Sequence, residues 1–176
     1  MSTTTKHIAK HIDAEASYQA LLAQTRAGLA GVPDAAIVGI HTGGAWVAER
    51  LAADLRLTDR LGFIDISFYR DDYAKKGLQP HVKSTQIGFN VDHATIVLVD
   101  DVLFTGRTVR AAVNVLFDYG RPARIMLAAL ADRGGRELPV AADFSGVKVE
   151  LAASESLKLT RNDAGQFSLT IQEDHA

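Results

Sequence analysis

The stretch IVLVDDVLFTGRT, residues 96–108, decides the fold of this chain. It joins an apolar run to two aspartates and a polar loop, and residues 107–119 then carry the spacing of a helix that Gly120 can end. A short, almost wholly apolar run is typical of a strand buried on both faces of a parallel sheet. We therefore predict a strand over 95–99 that ends in the acidic pair, then a loop, and a helix over 107–119.

The same alternation of strand and helix extends in both directions along the chain. Residues 35–40 are almost all apolar and precede a glycine loop and a helical pattern, which makes a further strand, loop and helix unit. Two short runs, 157–159 and 167–171, flank polar residues and predict a hairpin across 162–165. The remaining helices are expected over 13–29 and 47–55, and the remaining strands over 63–68, 125–130 and 147–151. This order predicts an α/β fold with a mainly parallel sheet and helices on both faces.

Length and composition are those of an ordinary folded protein. The chain has 176 residues, so we expect residues 1–176 to form a single domain. Apolar residues make up 47% and charged residues 23%, which excludes a disordered chain. There is no cysteine and hence no thiolate metal site, the N-terminal residues lack the apolar core of a signal peptide, and no apolar run reaches the roughly 18 residues of a membrane span. The net charge of −2 gives nucleic acid no general attraction. We expect a cytoplasmic protein without a membrane partner.

The loop after the acidic pair has the chemistry of a phosphate site. The first N–H groups of a helix lack partners and lie at the positive end of the helix dipole, so the start of the 107–119 helix can bind an anion. The hydroxyls of Thr105 and Thr108 add donors. Adjacent carboxylates would repel that anion unless they accept from sugar hydroxyls or bind a divalent cation. This combination suggests a ribose 5-phosphate. The alternative is that Asp100 and Asp101 only end a strand and cap a turn.

Four segments resemble a single protein family. They read FYRDD at 68–72, VLVDDVLFTGRTVRAA at 97–112, YGRPARIMLAALADRGGRELP at 119–139 and ADFSG at 142–146. All four are similar to the family of pyrimidine-operon attenuation regulators and uracil phosphoribosyltransferases, which are type I phosphoribosyltransferases. The resemblance runs over residues 37–146 and implies the type I phosphoribosyltransferase fold, with a flexible active-site loop and a small hood.

The resemblance implies a uracil phosphoribosyltransferase, which transfers the ribose 5-phosphate of phosphoribosyl pyrophosphate (PRPP) to uracil and gives UMP and pyrophosphate. It implies catalytic roles for Asp100, Asp101 and Arg70, of which Arg70 lies in the flexible loop of residues 69–84. The implied PRPP site comprises Thr42, Gly43, Gly44, Asp100, Asp101, Val102, Leu103, Phe104, Thr105, Gly106, Arg107 and Thr108. Many relatives carry arginine where this chain has Gly43, and a glycine cannot make the bidentate contact of an arginine with an oxyanion.

The resemblance also implies a place for the base. Residues 132–138, after the predicted strand 125–130, and a hood around residues 140–142 are similar to the segments that hold the base in the family. The candidate base-binding residues are Phe104, Arg133 and Val140.

Phe104 bears on the mechanism and on the choice of base. It stands where purine-specific relatives carry aspartate, and because phenylalanine transfers no proton, we expect no general base in this loop and poor use of purines.

For the two arginines that follow the 125–130 strand, a structural alternative is open. Arg133 and Arg136 can form ion pairs with Asp132 and Glu137.

Metal ions and assembly follow from the same resemblance. We expect Mg²⁺ to bind together with PRPP, and we expect no metal site made by the protein alone. His7 and His11 are spaced to share one helical face, but a structural zinc site needs further ligands that the sequence does not cluster there. The family implies a homodimer or a higher homo-oligomer.

A second class of function stays open, because the family often binds RNA as well. In that alternative the chain is a UMP-responsive attenuator of the pyrimidine operon that binds pyrimidine-leader RNA, with weak or no catalysis. RNA binding needs a basic face. The first predicted helix has Arg26 as its only strong base, Gly135 replaces a family histidine, and Glu150 stands in a segment that is basic in relatives. These departures weaken the RNA role. A third interpretation is a nucleotide sensor without turnover.

Overall fold

The computed structural model describes residues 12–67 and 84–174. Its helices are α1 (Ala14–Gly28), α2 (Gly43–Leu55) and α3 (Arg107–Tyr119), with a short 3₁₀ turn at Thr58–Arg60. Its strands are β1 (Ala35–Ile40), β2 (Leu61–Ile64), β3 (Thr95–Leu103), β4 (Arg124–Asp132), β5 (Phe144–Lys148), β6 (Glu155–Arg161) and β7 (Phe167–Glu173). The strand β1 and the helix α3 have the bounds that the sequence predicts. Of the described helices, none is long and apolar enough to cross a membrane.

The strands β1 to β5 form one parallel sheet in the order β2-β1-β3-β4-β5. Parallel neighbours need long crossover connections. Helix α2 lies in the connection from β1 to β2 and α3 in that from β3 to β4, while residues 133–143 connect β4 to β5. The sheet is covered on both sides. Helices α1 and α2 pack on one face with the side chains of Tyr18 and Leu51 fully buried, and α3 packs on the other face through Leu116 and Ala112. The predicted α/β class, with helices on both faces, is confirmed.

The bounds of several predicted strands were wrong, and for three of these strands the neighbouring strand explains the observed bounds. The strand predicted over 95–99 continues to Leu103, because β4 supplies ladder partners as far as Asp132. The strand predicted over 63–68 begins at Leu61 and ends at Ile64, where its ladder with β1 ends. The strand predicted over 147–151 is β5, which begins at Phe144 and ends at Lys148 for the same reason.

The strands β6 and β7 form the predicted hairpin, which we call the terminal hairpin. It packs on the same side of the sheet as α1 and α2, with Leu159 and Leu169 buried in their core. The backbone N–H of Phe167 donates to Glu15 Oε1 at 2.8 Å, and Glu15 is also paired with Arg50 at 2.7 Å. These contacts fix the terminal hairpin beside α2.

Helix α1 is held against α2 by a partly buried polar contact. Asp13 caps α1, since its side chain accepts from the N–H of Ala16. The Tyr18 hydroxyl donates to Asp54 Oδ2 at 2.5 Å, and the Arg50 guanidinium lies over the Tyr18 ring at 4.0 Å. Burial and the hydrogen bond to Asp54 raise the pKa of Tyr18 well above its ordinary value. The phenol therefore stays neutral and the contact persists across the physiological pH range.

Candidate functional site

The carboxyl ends of the parallel strands meet at one edge of the sheet, and the predicted site residues lie there. Strand β1 leads into α2, which packs on one face, whereas β3 leads into α3, which packs on the other. Because β1 and β3 are neighbours, the helices that follow them leave a crevice between their ends. In open α/β sheets ligands bind in such a crevice, at the switch point of the strand order.

The two aspartates lie on β3 itself and not in a loop after it. Neighbouring residues of a strand point to opposite faces, so Asp100 and Asp101 are directed to different sides of the sheet. Asp100 is buried, with 5% of its surface exposed, and its Oδ1 accepts from the N–H of Asp101 at 3.0 Å. Asp101 is half-buried and lies against Gly43 at the start of α2. Val102 and Leu103, expected in the phosphate loop, continue the strand.

Close packing at the start of α2 leaves no free space for a Cβ at two positions. An ideal Cβ on Gly43 would lie 2.6 Å from Asp101 Cγ, and one on Gly44 would lie 3.0 Å from Asp100 Cα. Real Cβ atoms do not approach other atoms as closely as the first of these distances. The helix starts directly at Gly43, so the expected loop of residues 41–44 is shorter than the sequence suggests. Thr42 is the N-cap and its side chain makes no capping hydrogen bond.

The phosphate loop is reduced to residues 104–106, between β3 and α3. Gly106 is the N-cap of α3 with φ 92°, a left-handed conformation that favours glycine, and no side chain caps the helix. Thr105 Oγ1 accepts from the N–H of Arg107 at 3.3 Å. The loop and Thr108 thus surround the first turn of α3, whose N–H groups are directed to the edge of the sheet. This geometry suits an anion.

The segment after β4 is tied to the phosphate loop by two arginines. Arg136 donates to Phe104 O at 2.7 Å, to Val140 O at 3.1 Å and to Asp132 Oδ2 at 2.7 Å. Arg107 pairs with Glu137 at 2.9 Å. The predicted alternative of an ion pair with Asp132 holds for Arg136, whereas Glu137 pairs with the phosphate loop and not with the arginines beside it.

Arg136 also sets the charge state of its partner. Burial by itself raises the pKa of Asp132, but hydrogen bonds from Arg136 and from the N–H of Gly134 outweigh burial and bring the pKa below its ordinary value. The ion pair therefore persists into mildly acidic solution.

Phe104 and Arg133 form a stacked pair at the edge of the site. The Arg133 guanidinium lies over the Phe104 ring, 3.9 Å from its centroid, and 43% of Phe104 is exposed. The other side of the ring lies on Gly135, whose φ is 71° and where a Cβ would come within 2.9 Å of the ring carbon Cδ2. Arg133 Nε is buried and has no hydrogen-bond partner among the described residues. A glycine at 135 is thus needed for this position of the ring.

Two cavities open at this edge of the sheet. One of about 390 Å³ contains the start of α2, Asp65, Asp101 and Lys158 of the terminal hairpin. The other, of about 630 Å³, lies between residues 132–136 and the segment 148–151 after β5. Asp101 and Arg133 belong to different cavities, and Val140 lines neither of them. Val140 packs instead against Gly106 of the phosphate loop.

Several predicted residues lie outside the described part of the chain. They include Arg70, almost all of the expected flexible loop at 69–84, and His7 and His11. Within residues 12–67 and 84–174, no group of three or more histidines, aspartates and glutamates is placed to hold a metal ion. The residues that the sequence analysis missed are Lys158 and the segment 148–151. Their approach to the site depends on tertiary packing, and no motif in the sequence marks them.

The chain is similar in sequence to known proteins. The family model described as the phosphoribosyl transferase domain matches residues 4–158. A relative from Ralstonia nicotianae, named "Bifunctional protein PyrR", is 53% identical over 158 residues, which cover 89% of this chain and 90% of the relative. A protein of the same name from Nitrosococcus oceani is 54% identical over 136 residues, covering 76% of this chain and 77% of the relative.

Solved structures with a similar fold include two from purine metabolism. A hypoxanthine phosphoribosyltransferase from Trypanosoma cruzi, in a ternary complex with substrates, has a TM-score of 0.62 at 19% identity and covers 82% of this chain and 83% of its own. A purine phosphoribosyltransferase from Pyrococcus horikoshii has a TM-score of 0.58 at 26% identity, covering 78% of this chain and 83% of its own. The likeness to the first of these concerns the fold alone.

Proposed function

Because this chain belongs to the phosphoribosyl transferase family and has the type I fold of that family, we propose that it is a uracil phosphoribosyltransferase. Membership of the family makes it a glycosyltransferase-type enzyme. The specific substrate, uracil, is our proposal. The observation that carries it is Phe104, an exposed aromatic ring in the phosphate loop, where an aspartate would serve a purine base.

The phosphate loop and the acidic pair are assigned to PRPP. The 5-phosphate binds at the start of α3, where the N–H groups and the hydroxyls of Thr105 and Thr108 are donors. Asp101 accepts from a ribose hydroxyl, since it is the aspartate that lines the 390 Å³ cavity. Asp100 fixes the backbone at this point by accepting the N–H of Asp101. The diphosphate lies by the start of α2, where Gly43 and Gly44 let it approach the backbone.

The base is assigned to the side of the site that Arg133 and Phe104 form. An aromatic ring and a planar guanidinium both offer flat faces on which a pyrimidine can stack. The 630 Å³ cavity beside Arg133 is large enough for uracil, and the backbone of residues 148–151 lines it. Arg70 is retained as a proposed catalytic residue outside the described part of the chain.

In the proposed reaction, uracil N1 forms a bond to C1′ of the ribose as the bond from C1′ to the pyrophosphate oxygen breaks. The electron pair of the broken bond leaves with pyrophosphate, and the N1 proton passes to water. The described residues of the phosphate loop offer no general base, so the rate enhancement comes mainly from holding N1 and C1′ in line and from binding the charge of the leaving group.

Mg²⁺ fits the site as a partner of PRPP and not as a resident ion. It prefers oxygen ligands and usually takes them from substrate phosphates and one or two carboxylates. Asp101 and Asp65 both line the 390 Å³ cavity and are carboxylates of this kind. When bound, Mg²⁺ would neutralise charge on the diphosphate.

An assay of purified chain tests the proposed function. PRPP and Mg²⁺ are mixed with uracil, hypoxanthine or orotate, and nucleotide and pyrophosphate are measured. We expect UMP from uracil and little product from hypoxanthine. Product from hypoxanthine or orotate, together with none from uracil, would refute the proposal.

A second function is supported by the names of the relatives. Two proteins more than 50% identical to this chain are each called bifunctional. We therefore also propose that the chain binds pyrimidine-leader RNA in response to UMP. Gel retention of that RNA, with and without UMP and against a scrambled RNA of equal length, tests this role. Equal retention of both RNAs would contradict it.

A further inference from the structure

The terminal hairpin brings a positive charge to the site from a distant part of the sequence. The 390 Å³ cavity at the start of α2 is lined by Asp65 and Asp101, and across it by residues 157–159 of β6. Among the described residues that line this cavity, Lys158 is the only lysine or arginine. A cavity with two carboxylates and a single ammonium group suits a ligand whose own negative charge is partly neutralised by a divalent cation.

The start of α2 itself supplies no charged side chain. A Cβ on Gly43 would overlap Asp101, and one on Gly44 would meet the backbone of β3. Helix α2 carries no basic residue in its first turn, which reads Gly43, Gly44, Ala45 and Trp46. Any cation that contacts an anion at this helix start must therefore come from another element. Of the described elements around the cavity, β6 supplies one.

The position of β6 against α2 is fixed by contacts of two of its residues, Arg161 and Leu159. Arg161 at the end of β6 pairs with Glu49 of α2 at 2.6 Å and lies over the Trp46 ring. Leu159 is buried in the core shared by α1 and α2. Lys158 is the residue before Leu159 on β6; it is exposed and lines the cavity.

We propose that Lys158 binds the diphosphate group of PRPP and the pyrophosphate that leaves. This inference rests on the proposed function and adds a binding residue for the leaving group. A lysine ammonium is a compact charge suited to phosphate oxygens, and it gains strength as negative charge develops on the leaving oxygen. The 5-phosphate, at the start of α3, is bound by other residues and does not need Lys158.

Binding measurements with two ligands separate these roles. PRPP carries both the 5-phosphate and the diphosphate, whereas UMP carries the 5-phosphate alone. Titration calorimetry with Mg²⁺ and without uracil gives both affinities for wild type, Lys158→Gln and Lys158→Arg. The control is Arg124→Gln, which removes one positive charge from an exposed residue at the start of β4, outside this cavity.

We expect Lys158→Gln to weaken the binding of PRPP by about tenfold or more, since a hydrogen bond to a charged group is lost. UMP affinity should stay at the wild-type value, Lys158→Arg should restore most of the PRPP affinity, and Arg124→Gln should bind both ligands normally. Wild-type affinity of Lys158→Gln for PRPP, or an equal loss for PRPP and UMP, would overturn the inference. A wild-type chain that binds neither ligand would overturn the proposed function as well. PRPP binding without use of uracil would refute only the base assignment.

Discussion

Gly43 and Asp101 occupy adjoining space, such that a side chain on the first would displace the second. The contact joins the start of α2 to β3 across the crevice, and an ideal Cβ on Gly43 lies 2.6 Å from Asp101 Cγ. Gly43 is thus coupled to the aspartate that we assign to the ribose. Changing either residue should alter the position of the other.

The first prediction concerns Gly43→Ala. The added methyl group should push the Asp101 carboxylate out of its position and weaken PRPP binding by about tenfold, since one hydrogen bond to a charged group is lost. The matched control is Gly88→Ala, because a Cβ at Gly88 meets nothing within 4 Å. Calorimetric titration of both variants with PRPP measures the effect. Equal affinities for the two variants would show that Asp101 tolerates the methyl group.

The acidic pair should divide into a ligand-binding residue and a structural one. Asp101→Asn should weaken PRPP binding by about tenfold or more with little change in Tm, because this carboxylate is half-buried and lines the cavity. Asp100→Ala should lower Tm, since Asp100 is buried and alanine offers no acceptor for the Asp101 N–H. The Asp100→Asn/Asp101→Asn double variant should lose PRPP binding and keep its far-UV circular dichroism. PRPP binding by the double variant at wild-type affinity would move the site elsewhere.

Phe104→Ala should weaken the binding of uracil more than the binding of PRPP. The ring is the partner of the Arg133 guanidinium, and without it the proposed stacking surface is lost, which should raise the KM for uracil by about tenfold. Tm should change little, since 43% of the ring is exposed. Phe117→Ala is the control, as Phe117 is equally exposed but lies on α3 away from the phosphate loop. A KM for uracil that is unchanged in Phe104→Ala would exclude the ring from the base site.

Asp132 makes stability depend on pH in a predictable direction. The pKa of Asp132 is lowered in the folded chain. The contribution of Asp132 to the free energy of unfolding is therefore complete above its pKa in the unfolded chain, about 3.9. This contribution is lost as the pH falls through the lower pKa of the folded chain. Wild type should therefore exceed Asp132→Asn in Tm by a constant margin of about 3 °C between pH 5 and 7. Below about pH 4 the margin should shrink.

The control for this titration is Asp118→Asn, an exposed aspartate on α3. Its Tm should follow that of wild type at every pH. A margin for Asp132→Asn that grows as the pH falls would contradict the assigned direction of the shift. Thermal unfolding followed by circular dichroism in buffers of constant ionic strength measures all three proteins.

Local sequence patterns predicted much of the fold. The apolar run at 35–40 predicted β1 with its bounds, and the spacing from Arg107 to Tyr119 predicted α3, because a buried strand and an amphipathic helix each leave a short-range signature. The stretch 96–108 likewise predicted where a strand would meet a helix. Strand ends were predicted less well, since β3 extends to Leu103 only because β4 pairs with it there.

The sequence by itself determined that Asp100, Asp101 and the phosphate loop would lie at the end of a strand, since these residues are neighbours along the chain. Tertiary structure decided everything that joins distant segments. It alone placed Arg133 over Phe104, Asp101 against Gly43, and Lys158 across the cavity from α2. Contacts of this kind depend on how the sheet and helices pack, and packing is a property of the whole chain that no local pattern records.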